Sequence, residues 1–149
     1  MNIAKHSNDS NLQHLPKRPL PFKYELGSMV LSSLLGTYSD LYFVGKNFYH
    51  FPLRPFQKIF TINLAFTLVA LPLMTLLLLR CISQLTNWGK AGVILLVSLL
   101  MPVFERLAEL FGLFTHSDKW NHLYTFFGYG IFLSIVVVFH EWMGNRIRE

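Results

Sequence analysis

Six polar residues that can bind an ion or a ligand interrupt the apolar stretches of this chain: Asp40, Asn63, Glu105, Arg106, Glu109 and His122. Glu105 and Glu109 are four residues apart, so on a helix they share one face. Three carboxylates and a histidine form a ligand set that suits a hard or borderline metal ion. His116 and Asp118 follow closely in the sequence and can add to this set.

These residues allow three interpretations. In the first, Arg106 neutralises Asp40 or one of the glutamates, and the cluster is a structural clasp that fixes the register of the helices. In the second, the cluster binds a small ligand, an ion, a lipid headgroup or a partner protein without catalysis. In the third, Glu105, Glu109 and His122 hold the metal ion of a membrane-embedded hydrolase. Because Glu-x-x-x-Glu spacing is common on helices, the metal signal is not specific.

The histidines argue against haem as a cofactor. His122 and His140 are 18 residues apart, which is about 27 Å along one helix, and no histidine on another helix is predicted at the same depth. The sequence also has no Gly-x-Ser-x-Gly, phosphate-loop or His-Glu-x-x-His motif. The single cysteine, Cys81, excludes an internal disulfide and a Cys-x-x-Cys motif. No cofactor and no catalytic residue is therefore assigned.

The composition is typical of a membrane protein. Of 149 residues, 52% are hydrophobic and only 14% are charged, whereas a soluble domain has about 25% charged residues. The net charge of +5 does not indicate nucleic-acid binding, because the basic residues are scattered among the connections. We therefore expect the lipid bilayer as the main partner, with a membrane-protein partner or a second copy as further candidates.

Four apolar segments set the predicted fold. They cover residues 28–45, 59–79, 91–113 and 120–140, and a spanning helix needs about 20 largely apolar residues. The pattern predicts an all-α fold, a four-helix transmembrane bundle with antiparallel neighbours in a domain of residues 28–142. A polar tail, 1–27, precedes this domain, and a basic tail, 143–149, follows it.

Basic residues predict the orientation, since Lys and Arg are enriched on the cytoplasmic side. Eight lie in the tails and the second connection: Lys5, Lys17, Arg18, Lys23, Arg80, Lys90, Arg146 and Arg148. Four lie in the other two connections: Lys46, Arg54, Lys58 and Lys119. We therefore expect both termini in the cytoplasm.

The depth of the polar residues predicts a common location. At about 1.5 Å rise per residue, Asp40, Asn63, Glu105, Glu109 and His122 all fall in the outer half of the bilayer. An ionisable side chain within a span faces the bundle interior or water, because facing lipid is costly. We therefore expect these residues to point into the bundle.

Four stretches resemble a family of small four-span membrane proteins of Gram-positive bacteria. They are Leu-Gly-Thr-Tyr-Ser-Asp-Leu-Tyr-Phe-Val-Gly-Lys at 35–46, Phe-Pro-Leu-Arg-Pro-Phe at 51–56, Glu-Arg-Leu-Ala-Glu at 105–109 and Trp-Asn-His-Leu-Tyr at 120–124. The resemblance implies a self-contained four-helix unit in the bacterial plasma membrane. It implies no activity, cofactor or catalytic residue, because none is known for that family.

The combined expectation is a non-enzymatic integral membrane protein with an outward-facing polar cluster between its helices. The metal-dependent hydrolase is the first alternative, and a membrane assembly factor with a purely structural clasp is the second.

Overall fold

The computed structural model describes residues 22–146, and this part of the chain is mainly helical. It contains four α-helices: α1 (Phe22–Gly45), α2 (Leu71–Ile82), α3 (Asn87–Leu110) and α4 (His122–Asn145). A π-helical segment, Phe66–Ala70, runs directly into α2, and two short strands lie in the connections: β1 (Tyr49–His50) and β2 (Thr115–His116). The prediction of an all-α fold is confirmed.

The helices and the predicted segments differ at their ends. α1 includes residues 22–27, which the sequence assigned to the tail, because Tyr24 and Glu25 are buried against the other helices. α4 likewise continues through Asn145 into the assigned C-terminal tail. The rest of the two predicted tails, residues 1–21 and 147–149, lies outside the described residues.

The second helix starts later than predicted. Residues 59–63 form turns and irregular structure rather than helix, although their composition is mostly apolar. Asn63 explains the boundary, because its side-chain oxygen accepts a hydrogen bond from the Phe66 N–H at 3.2 Å and so caps the helix that follows. Pro72 lies just after the π-helical segment, where it cannot donate a backbone hydrogen bond.

The helices pack in the order α2–α1–α4–α3, and α2 and α3 make few contacts with each other. β1 and β2 pair in antiparallel fashion, with Tyr49 opposite His116. This pairing joins the α1–α2 and α3–α4 connections at one end of the bundle, which we call the connection end. The α2–α3 turn lies at the opposite end with the start of α1 and the end of α4, and we call this the terminal end.

The bundle buries small polar residues together with an apolar core, and it exposes many large apolar residues. The buried polar side chains include one glutamate, Glu25, and six serines and threonines. The six are Ser28, Ser32, Thr67, Thr75, Ser98 and Thr125. Leucines, isoleucines, valines and phenylalanines cover the outer surface of the same helices. Small residues between helices and apolar residues around them are typical of packing in lipid.

Within the described residues, α3 and α4 are the two helices long and apolar enough to cross a membrane. In the most apolar stretch of each helix, only 11% of the residues of α3 and 22% of those of α4 are buried. Neither helix therefore resembles the enclosed core helix of a soluble protein. α1 is equally long but more polar, and the apolar helix Phe66–Ile82 is shorter.

Candidate functional site

A cavity of about 340 Å³ lies at the connection end of the bundle. Residues from all four helices and from both connections line it, including Phe66 of the second helix and Met101 of α3. Because α2 and α3 make few contacts, side-chain packing does not fill the space between them. The walls are mainly apolar and aromatic, and none of the lining residues is a lysine or an arginine.

Three of the six polar residues singled out in the sequence line this cavity: Asp40, Asn63 and Glu105. Asp40 lies on α1, one helical turn after Gly36, which also lines the cavity and whose missing Cβ makes room for Leu71. Asn63 enters at the cap of the second helix, and Glu105 lies on α3. Glu109 and His122, which the sequence places at the same depth, do not line the cavity.

Asp40 has one carboxylate oxygen without a partner. The residue is 9% exposed, and its Oδ1 accepts a hydrogen bond from the Tyr49 hydroxyl at 2.7 Å. Among the described residues, Oδ2 of Asp40 is the one buried side-chain oxygen or nitrogen that has no hydrogen-bond partner. Such an atom is costly to bury, so a ligand that donates a hydrogen bond to Oδ2 would stabilise the cavity.

Tyr49 fixes the orientation of Asp40 from the α1–α2 connection. Its ring packs against Phe114 and Trp120, with ring centroids 5.0 Å and 5.1 Å away. Burial, and then the adjacent Asp40 carboxyl, raise the pKa of Tyr49. The phenol therefore remains protonated around neutral pH and remains a hydrogen-bond donor to Asp40.

Glu105 is almost fully buried and has several partners. Its Oε1 accepts a hydrogen bond from Trp120 Nε1 at 2.8 Å and lies 3.1 Å from His122 Nδ1. Its Oε2 accepts a hydrogen bond from the Thr125 hydroxyl. Glu105 therefore differs from Asp40, because both of its carboxylate oxygens are satisfied within the protein.

Beside the cavity, two glutamates and two histidines come together, and we call Glu105, Glu109, His116 and His122 the carboxylate–histidine cluster. Glu109 contacts His116 Nδ1, and the His116 and His122 rings have centroids 5.3 Å apart. One ligand atom each from Glu105, Glu109 and His116 lies within 4.8 Å of the others. The arrangement brings together the donor types that bind divalent transition metals.

Arg106 does not enter the cavity. Its side chain is 67% exposed, and its Nη1 lies 3.5 Å from Glu109 Oε2 on the same helix. The partner of the Asp40 carboxylate is Tyr49 rather than Arg106. The physical reason is the helical repeat, because adjacent residues on a helix point about 100° apart and the inward direction of Glu105 turns Arg106 outward.

Sequence reasoning missed Tyr49, Trp120 and Thr125 as partners of the buried carboxylates, and it gave His116 only as an optional ligand. Tyr49 and His116 lie on β1 and β2, whose two-residue length gives no recognisable strand pattern. Thr125 lies three residues after His122 on α4, on a neighbouring position of the same face. The three-residue spacing of His122 and Thr125 is the one feature of the sequence that could have predicted Thr125 as a partner of Glu105.

A comparison with protein-family models, with curated proteins and with solved structures finds no match for this chain. The resemblance to a four-span family of Gram-positive bacteria therefore stays a prediction.

Proposed function

We propose that the protein crosses a membrane four times and binds a small amphipathic ligand in the cavity at its connection end. The apolar outer surface of all four helices supports the membrane part of the proposal, since exposed apolar area on this scale is unusual for a soluble monomer. Burial of hydroxyl-bearing residues such as Ser28, Ser32 and Thr67 supports it too.

The observation that carries the binding proposal is the buried, unpartnered Oδ2 of Asp40, a residue that lines an apolar cavity. Ligand sites are mostly apolar clefts with a few placed polar groups, and their volumes start at about 300 Å³. The cavity meets both conditions. The apolar walls would hold the body of the ligand, and Asp40 would accept a hydrogen bond from its head.

The charges in the cavity indicate the chemistry of that head. Two carboxyl groups, Asp40 and Glu105, line the cavity, and no lysine or arginine does. Both oxygens of Glu105 have hydrogen-bond donors in the protein, whereas Oδ2 of Asp40 has none, so Asp40 is the group that most needs a hydrogen-bond donor from the ligand. An apolar molecule with an ammonium head, or with a hydroxyl head, fits better than one with a carboxylate.

Tryptophan fluorescence tests this preference. Trp120 lines the cavity, so a variant with Trp88→Phe and Trp142→Phe leaves it as the reporter. In nanodiscs, octylamine is expected to change Trp120 fluorescence saturably, whereas octanoic acid is not. Asp40→Asn keeps an oxygen for Tyr49 but can place an amide donor where Oδ2 was, so binding of octylamine should fall by at least about tenfold.

Asp118→Asn is the matched control, because it removes an exposed carboxylate near the same end without touching the cavity. Equal responses to octylamine in the parent, Asp40→Asn and Asp118→Asn proteins would contradict the proposal. So would a preference for octanoic acid.

The proposed topology has the connection end outside a bacterial plasma membrane and both chain ends in the cytoplasm. The basic residues, eight against four, support this orientation. A Cys81→Ser background with one new cysteine, at Lys58 or at Gln84, tests it, since both positions are exposed and lie at opposite ends. An impermeant maleimide added to intact cells should label position 58 and not 84, and the reverse result would overturn the orientation.

A further inference from the structure

We propose that the carboxylate–histidine cluster binds one divalent transition-metal ion, with Zn²⁺ as the best-fitting example. The proposed ligands are Glu105 and Glu109 of α3, His116 of β2 and His122 of α4. This site shares Glu105 with the wall of the cavity, and its other three ligands lie outside the cavity lining.

The distances between donor atoms suit a metal ion after a small adjustment. The ligand atoms of Glu105, Glu109 and His116 lie within 4.8 Å of one another, and His122 Nδ1 lies 3.1 Å from Glu105 Oε1. In a tetrahedral zinc site, bonds of about 2.0–2.1 Å place neighbouring ligand atoms about 3.3 Å apart. The ligand atoms of Glu105, Glu109 and His116 would therefore have to approach one another by no more than about 1.5 Å to reach that spacing.

The charges of the cluster also favour a cation. Glu109 lies in the last turn of α3, which has no basic residue, and the C-terminal end of a helix disfavours a negative charge. Glu105 adds a second carboxylate, and Arg106, the nearby cation, is largely exposed to solvent. A divalent ion between the two carboxylates would balance the charge that Arg106 leaves uncompensated.

The donor types decide which metals fit. Imidazole suits Zn²⁺ and its neighbours, whereas sites for Ca²⁺ and Mg²⁺ use oxygen ligands. Two imidazoles with two carboxylates therefore favour Zn²⁺ over Ca²⁺. Trp120 and Thr125 hold Glu105 by hydrogen bonds, and such outer contacts orient a metal-binding carboxylate.

Metal binding by the full-length chain tests the proposal directly. The protein is purified in detergent without a polyhistidine tag, stripped with a chelator and dialysed against Zn²⁺ or Ca²⁺. Metal per chain is then counted by mass spectrometry, and affinity is measured by competition with a fluorescent zinc indicator. We expect one Zn²⁺ per chain and no comparable retention of Ca²⁺.

Variants locate the ion. Glu109→Gln and His116→Gln should each weaken Zn²⁺ binding by at least about tenfold, and neither residue lines the cavity. Asp118, which the sequence offered as an additional ligand, is not among the clustered ligand atoms. Asp118→Asn and His50→Gln are therefore matched controls, because they remove an exposed carboxylate and an exposed imidazole from the same two connections. Both controls should bind Zn²⁺ as the parent does.

Three results would overturn the proposal: no stoichiometric Zn²⁺ on the parent protein, undiminished binding in Glu109→Gln and His116→Gln, or equal loss in the controls. If Glu109→Gln does not fold, as judged by size-exclusion chromatography, His116→Gln decides the outcome. His116 lies in a surface connection, so its replacement leaves the helices intact.

Discussion

The two ends of the bundle treat their acidic residues differently. At the terminal end, two carboxylates of the described residues have a basic partner on another helix: Glu25 with Arg80 at 3.2 Å, and Glu141 with Lys90. At the connection end, among the residues that the structure describes, Arg106 is the one arginine or lysine that forms an ion pair with Asp40, Glu105 or Glu109, and its partner is Glu109.

Packing follows the same division. At the terminal end, leucine, isoleucine and valine side chains of α2 and α4 form a core that includes Leu79 and Val137. At the connection end, an aromatic cluster around Tyr49 borders a cavity that no side chain fills. Paired charges and close packing indicate a structural role, whereas excess carboxylate beside a cavity that no side chain fills indicates a binding site.

Filling space should distinguish the packed interior of the bundle from the cavity most clearly. Ser32 and Ser39 lie seven residues apart on α1, but Ser32 is fully buried between helices and Ser39 is exposed and lines the cavity. Ser32→Leu should destabilise the protein by about 3 kcal/mol, because overpacking forces helices apart. Ser39→Leu should cost less than about 1 kcal/mol, since its side chain can extend into the cavity. Thermal unfolding in detergent measures both, and equal losses would contradict the comparison.

Removing one acid from each end should give effects of different size. Glu25→Gln should lower stability by about 1 kcal/mol, because it loses the ion pair with Arg80. Asp40→Asn should leave stability unchanged or raise it, because Tyr49 keeps an acceptor and a buried carboxylate disappears. The same thermal assay checks the pair, and a larger loss for Asp40→Asn would show that Asp40 is structural.

Removing one arginine from each end should also give effects of different size. Arg80→Ala leaves Glu25 buried without its partner on another helix, so it should cost about 1 kcal/mol. Arg106→Ala removes an exposed pair within one helix, so it should change stability by less than about 0.5 kcal/mol. A loss of several kcal/mol on replacing Arg106 would support the clasp interpretation instead.

The sequence predicts the helices better than the site, and particular residues show why. The apolar segments predict the positions of α1, α3 and α4. The regular rise of a helix then predicts that Asp40, Asn63 and Glu105 lie at the same depth in the bundle. The start of the second helix is missed because the turn at 59–63 is as apolar as a helix. A side-chain cap at Asn63, rather than composition, ends that turn.

The site itself depends on contacts between distant connections. The pairing of Tyr49 with His116 brings a hydroxyl to Asp40 and an imidazole to Glu109, and no periodicity predicts it. The rotation of each helix about its own axis is equally hard to predict from the sequence, because Glu105 and Arg106 are adjacent and lie at nearly the same depth. The structure separates them into one exposed and one buried side chain.

Native mass spectrometry of the protein, released gently from detergent, tests the central claim that the cavity binds a ligand. Gly128 and Gly92 both have open space where a Cβ would lie, but only Gly128 lines the cavity. We expect a stoichiometric small-molecule adduct on the parent and on Gly92→Leu, and its loss from Gly128→Leu. A bare parent chain, or the same adduct on Gly128→Leu, would contradict the account.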